Sequence, residues 1–426
     1  MSEPTAFVNA RLLDPASGLD GRGTLIIESG RIAAAGPDVK PPHGAEQIDC
    51  KGACLAPGLI DIRAFVGEPG FEHKETFATA GDAAAAGGVT TFVCQPQTDP
   101  PLDEPALVGF ISRRAAGACA VNVFAMAAIT KGLRGQEMTE IGLLAEAGAV
   151  AFTDGDKAVA DAQVMRRALS YATTWGLPVV QHVEEPSLAR GGAMNEGEVA
   201  TRLGLRGIPS IAEVILLERD LRLVELTGGR YHAACISTAE SADAMRRAKK
   251  RGLRATCGVA AHHFALNETE VGDYRTFAKT SPPLRSEADR KAIVAAIADG
   301  TVDVIVSDHS PQDQESKRLP FAVAEPGIAG LQTLLPLALE LYHGGHVALL
   351  PLLAKMTVNP ARFLGLPSGS LAVGVAADLV MFDLDAPWRI SEHGLLSKSK
   401  NTPFDGRPVQ GRVLRTLVAG ETVFEA

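Results

Sequence analysis

The chain has 426 residues, a formal net charge of -9 and 46% hydrophobic residues, enough apolar content for a sizeable core and too much for a disordered chain. The acidic balance, with no basic run, argues against a nucleic-acid surface. No apolar stretch approaches the roughly 18 residues of a membrane helix, and the opening MSEPTAFVNARLLD lacks the basic and apolar regions of a secretion signal, so a cytoplasmic location is expected.

In chain order, TAFVNARLLD and GTLIIESGRIAAAG read as short strands with Gly-punctuated turns. The far end repeats the pattern in DLVMFDLD and RVLRTLVAGETVFE. Neither end has enough strands to bury a core alone, so both are expected in one small β-sandwich domain, residues 1–54 with 366–426.

From 55 to 365 the pattern changes to apolar runs alternating with Ala-rich amphipathic helices. Candidate strands are LIDIRA (59–64), TTFVCQP (90–96), VNVFAMAA (121–128), AVAFTD (149–154), PVVQHV (178–183), RYHAACIST (230–238), RATCGVAA (254–261) and DVIVSD (303–308). Eight strands alternating with helices predict an α/β fold, a (β/α)8 TIM-type barrel. An open doubly wound sheet is the alternative, but no GxGxxG turn follows the first strand. The polar segment 309–327, after the last strand, reads as a loop over the barrel mouth or an ordinary surface loop. The six cysteines, with no CxxC pair, read as reduced and mostly buried thiols.

Chemistry in such barrels sits at the C-terminal strand ends. Those ends carry Asp61, Arg63 and Phe65 on strand 1, Asp154 on strand 4, His182 on strand 5, Cys235 on strand 6, and Asp308 with His309 on strand 8. Asp154, His182 and Asp308 are oxygen and nitrogen ligand types suited to zinc and similar cations. Singly, each is a common capping or hydrogen-bonding residue; together they point to a metal site or the relic of one.

The blocks APGLIDIR, GEPGFEHKE, GAMNEGEVATRLGLRGIP (192–209), SPPLRSEADR (281–290), VIVSDHSPQ (304–312) and KSKNTPFDGRPVQGRV (398–413) resemble the dihydroorotases of the amidohydrolase superfamily. The resemblance implies a barrel flanked by a sandwich built from both termini. It also implies interconversion of carbamoyl aspartate and dihydroorotate in pyrimidine synthesis. A metal-bound hydroxide attacks the ring amide, and an aspartate at the position of Asp308 shuttles the proton. Homo-oligomers, often dimers, are implied as well.

The departures from the family pattern carry more weight than the match. The family's His-x-His at strand 1 is replaced by Arg63 and Phe65, and its strand 6 histidine by Cys235. Asp154, His182 and Asp308 keep ligand positions. At substrate-contacting positions, Gly67 stands for an arginine, Gln97 and Ser281 for asparagines, and Gln312 for a histidine. Losing the arginine removes a bidentate carboxylate contact that glycine cannot supply. A catalytically inactive chain is therefore expected, with no cofactor. By analogy with inactive members of the family, it would support aspartate carbamoyltransferase as a structural partner. The alternative is an active metal-dependent dihydroorotase or other cyclic-amide hydrolase, with zinc on Asp154, His182, Cys235 and Asp308. Arg63 is expected to pair with Asp308, Asp154 or both in place of the cation, with Phe65 filling vacated volume; otherwise it reaches toward solvent.

Overall fold

The structure, a computed structural model, describes residues 4–426. Five strands from the N-terminal end (Thr5–Asp14, Leu19–Glu28, Arg31–Gly36, Glu46–Asp49, Cys54–Pro57) and three from the C-terminal end (Leu379–Arg389, Pro408–Val418, Glu421–Glu425) form one eight-stranded sheet. Cys54–Pro57 joins the two ends of the chain. It runs parallel to Thr5–Asp14 on one side and antiparallel to Leu379–Arg389 on the other. Side chains alternate in direction along a strand, and here both directions are buried. Leu12, Leu55, Leu379 and Met381 pack into the sheet's own core, while Leu13, Cys54, Ala56, Val380 and Phe382 pack into the core shared with the barrel.

Eight parallel strands in chain order make the barrel: Leu59–Ala64, Val89–Cys94, Asn122–Ala127, Ala151–Phe152, Val179–Gln181, Tyr231–Ala233, Ala255–Ala260 and Val304–Val306. The first and last meet through a bridge between Ala64 and His309, with the Phe65 N–H donating to the His309 carbonyl at 2.8 Å. Every residue of the first two strands is buried, as parallel strands covered by helices require. The helix Ala162–Trp175 shows how the sequence sets these covers. Asp161 caps it by accepting from the Gln163 and Val164 N–H groups, Gly176 ends it at φ 65°, and Val164, Met165, Ala168, Leu169 and Ala172 form its buried stripe.

Several strands stop earlier than their apolar runs suggest. The sixth, expected to reach 238, ends at Ala233, ahead of Cys235, and the fifth ends at Gln181, ahead of His182. The fourth ends at Phe152, so Thr153 and Asp154 leave the ladder; the eighth ends at Val306, ahead of Ser307 and Asp308. Asp308 adopts φ 50°, a left-handed conformation uncommon outside glycine. The segment 309–327 contains a short helix, Gln314–Arg318, and is fastened by two buried lysines. The Lys317 ammonium donates to the Thr276 and Glu325 carbonyls at 3.1 and 2.7 Å, and that of Lys279 to Phe321 and Ala322 at 2.8 and 3.0 Å.

Candidate functional site: the barrel mouth

The first barrel strand delivers Arg63 into the barrel, where its side chain is only 7% exposed. Its Nε donates to Asp308 Oδ1 at 2.6 Å, and its Nη1 to the Gly155 carbonyl at 3.4 Å. The guanidinium therefore points inward, and of the two expected carboxylate partners it takes Asp308. Burial opposes the charge on both members of the pair, but their mutual attraction outweighs it. Arg63 is held more basic than usual and Asp308 below the ordinary carboxylate range, with His262 and His263 adding smaller contributions at Asp308.

Asp154 is committed elsewhere. One oxygen accepts from the Ile129 and Thr130 N–H groups, both at 2.9 Å, and the other from the Thr130 hydroxyl. Burial pushes its carboxyl up to about 6 despite these donors. His182 Nε2 lies 3.4 Å from the Ser281 hydroxyl and 3.9 Å from Glu184. Cys235 is fully buried, and burial raises its thiol well above the ordinary value; the nearby Asp308 adds to this and Arg63 opposes it. Among the described residues, no group of three or more His, Cys, Asp or Glu side chains is arranged to hold a metal ion. Asp154, His182, Cys235 and Asp308 do not converge, and the family's cation does not fit the donor set present here.

The substituted positions cluster around the same mouth. Arg63, Phe65, Gln97, Ser281, Asp308 and Gln312 line one cavity of about 190 Å³. Phe65 is half-buried and faces Phe71, with ring centroids 6.2 Å apart, so it walls the mouth rather than plugging the space beside Asp308. Gly67 sits at φ 78°, where an added Cβ would lie 3.0 Å from Phe71 and 3.1 Å from Phe65. Gln97 packs so closely on Gly155 that a Cβ there would meet its amide at 2.0 Å. Several cavity residues escaped the sequence reading, among them Gln95 and His262. Gln95 follows the second strand two residues before Gln97, and His262 follows the seventh strand in AHHFAL. Period-two alternation past Cys94 and a paired histidine at a strand end were the available signals.

The blocks that carried the resemblance have a different fate. Arg285, from SPPLR, donates to the Ser237 hydroxyl, the Asn195 amide oxygen and the Ile208 carbonyl at 3.0, 3.0 and 3.1 Å. Glu213 accepts from the Ser237 N–H at 2.9 Å and lies 3.6 Å from Arg285, while Asn195, from GAMNEGE, donates to Glu268 at 2.7 Å. Glu75, at the end of GEPGFEHKE, accepts from the Thr76 and Lys398 N–H groups. His309 Nδ1 accepts from the Gly330 N–H at 3.2 Å, which leaves its proton on Nε2, 3.4 Å from Glu75. These motifs tie loops and strands of the barrel to one another.

The architecture is a closed parallel barrel carrying a sheet made from both termini. It is shared with the L-hydantoinase (dihydropyrimidinase) of Arthrobacter aurescens at a TM-score of 0.90, with 24% identity, covering 100% of this chain and 96% of that one. A dihydropyrimidinase from Brevibacillus agri superimposes at 0.86, with 21% identity over 99% and 95% of the two chains. Residues 52–241 match the family model described as dihydro-orotase-like. The chain is 45% identical to a dihydroorotase of Anaplasma phagocytophilum over 99% of its own length and 95% of the relative's. It is 43% identical to one of a Geobacter species over 98% of each. The chain belongs to the dihydroorotase family.

Proposed function

We propose that this dihydroorotase-family chain does not perform metal-dependent ring opening or closure. It serves pyrimidine synthesis as a structural partner of aspartate carbamoyltransferase. The observation that carries the first half is the buried Arg63–Asp308 ion pair, 2.6 Å long, at the head of the proton-shuttling aspartate position. A fixed guanidinium supplies the positive charge that a buried carboxylate needs, and Asp308 accepts its hydrogen bond instead of taking a substrate proton. Gly67 removes the carboxylate fork in the same loop. The second half rests on analogy with inactive members of the family, and what is retained is compatible with it: the buried Arg285, Glu213 and Glu75 networks hold together the barrel that a scaffold needs.

A second reading, an active metal-dependent dihydroorotase or related cyclic-amide hydrolase, is favoured by the relatives, dihydroorotases that match over nearly their whole length. It requires Arg63 to leave Asp308 and Asp154 to leave Thr130, freeing both for zinc with His182 and Cys235. Metal analysis of the purified chain together with a dihydroorotate assay separates the readings. Metal-free protein without turnover is expected; stoichiometric zinc with turnover would overturn the inactive assignment. Co-expression with the cognate aspartate carbamoyltransferase is expected to give a single co-eluting assembly, and separate elution would remove the partner role.

A further inference from the structure

The barrel has a second cavity at its other end. Arg230, Arg254 and Asp303 each stand one residue before a barrel strand, the sixth, seventh and eighth. The helix Val358–Leu364 closes the same end, its Ala361, Phe363 and Leu364 sharing a core with Ile60 and Ile62 inside the barrel. Between the strand starts and this helix lies a cavity of about 350 Å³, with Arg230, Arg254 and Arg362 on its wall. Residues at this face of such barrels ordinarily serve stability, and three converging arginines do not.

The chain carries 41 Lys and Arg against 50 Asp and Glu, so carboxylates are in excess. Elsewhere the arginines take them: Arg219 pairs with Asp220, Arg407 with Glu340 and Arg63 with Asp308. Among the described residues, none of Arg230, Arg254 and Arg362 has a carboxylate partner. Asp303, the one acid on the wall, is engaged by the Lys249 ammonium at 2.7 Å and the Cys257 N–H at 2.9 Å.

Arg230 is half-buried and spends its donors on neutral groups, Nη1 on the Gly176 carbonyl at 2.6 Å and Nη2 on the Phe363 carbonyl. Burial and the nearby Arg254 charge both lower its pKa, and no acid offsets them. Arg254 makes one long contact, 3.4 Å to the Gly228 carbonyl, and Arg362 is exposed. Like charges gathered on one cavity repel, so what this wall attracts is an anion.

Guanidinium forks match the oxygens of phosphate and carboxylate groups. Three of them exceed the charge of a single carboxylate and suit a phosphate monoester, with a charge of about -2 and three acceptor oxygens. The volume leaves room for a small polar body on that phosphate. Asn359, also on the wall, donates through Nδ2 to the Asp303 carbonyl at 2.9 Å, which leaves its amide oxygen to accept from a hydroxyl. Both aromatic lining residues, Tyr231 and Phe363, are buried, so a nucleobase finds no face to stack on.

We propose that the strand-start end of the barrel binds a small phosphorylated sugar, its phosphate held among Arg230, Arg254 and Arg362. The site lies opposite the mouth and stands whether or not the mouth is catalytic.

The test is calorimetric titration of the full-length chain, at fixed ionic strength, with ribose 5-phosphate, inorganic phosphate, succinate and ribose. Ribose 5-phosphate is expected to bind with a Kd on the order of 0.1 mM. The other three, which lack the sugar, the phosphate geometry or the charge, are each expected to bind at least ~10-fold more weakly. Arg254→Met and Arg362→Met are each expected to weaken ribose 5-phosphate about tenfold, while their thermal unfolding without ligand stays near that of the parent. Lys74→Met, at the mouth, is expected to leave binding unchanged. No heat with ribose 5-phosphate, equal binding of succinate or ribose, full binding by both arginine variants, or loss on Lys74→Met overturns the inference. Equal binding of inorganic phosphate assigns the site to the free ion and overturns the sugar.

Discussion

Two buried arginines, Arg285 and Arg63, sit in the same barrel in opposite circumstances. Arg285 donates to three acceptors and faces Glu213, whose oxygens are taken by Ser237 and Thr238. Arg63 has one carboxylate and one long contact to a carbonyl, and around it Gln95, Gln97, Gln312 and His262 leave polar atoms unmet. Neither network is complete, since Arg285 Nη2 is unmet too, but around Arg63 four side chains that line one cavity each leave an atom without a partner. The difference separates the part of the ancestral molecule kept as framework from the part whose chemistry changed.

The largest break in this comparison is expected from Arg285→Met. It leaves Glu213 buried and uncompensated, which costs about 3–5 kcal/mol in urea unfolding. Arg63→Met strands Asp308 in the same way, but that carboxylate is 12% exposed and can take up a proton. A loss of about 2–3 kcal/mol is expected, and combining it with Asp308→Asn should bring stability back to within about 1 kcal/mol of the parent. If the double variant stays as unstable as the single one, Arg63 stabilises through packing and not as a stand-in charge.

A third experiment probes the fastening of segment 309–327. Burial, with repulsion from Lys279 and Lys74, lowers the Lys317 pKa from its ordinary 10.5 to about 7. Above pH 7 the folded chain has given up a proton that the unfolded chain still holds, so this group makes stability rise with pH until the unfolded amine titrates. Between pH 7 and pH 9 the rise is expected to reach about 2 kcal/mol, and Lys317→Met should flatten it when unfolding is measured across that range. The smallest effect is expected at Gly67. Gly67→Ala places a side chain at φ 78° against Phe71, for a loss of about 1 kcal/mol in thermal unfolding.

Much of the fold was legible because it rests on local pattern. The strand–helix alternation marked all eight barrel strands, and paired apolar runs at the two ends marked the shared sheet. The short fourth strand was not legible, since AVAFTD is apolar up to Thr153 and only the Asp154 contacts to Ile129 and Thr130 show why the ladder stops. At the site, period-two alternation and the departures from the family pattern pointed to Arg63 and Asp308. Which carboxylate Arg63 would take was open, because that choice depends on where Ile129 and Thr130, in a loop well before Asp154, spend their N–H groups. The orientation of the Gln95 and Gln312 amides was equally hidden: it is set by the Ile62 and Pro326 carbonyls, contacts no spacing rule announces.

The pairing of Cys54–Pro57 with Leu379–Arg389 has a consequence for synthesis. The N-terminal strands leave the ribosome with that edge open, and its antiparallel partner follows only after the whole barrel has been made. At typical elongation rates the wait is on the order of half a minute. During it, Leu55 and its neighbours present an unpaired, apolar strand edge of the kind that chaperones recognise and that pairs with other chains. Truncation just before Leu379 is therefore expected to release a barrel that aggregates through its own beginning.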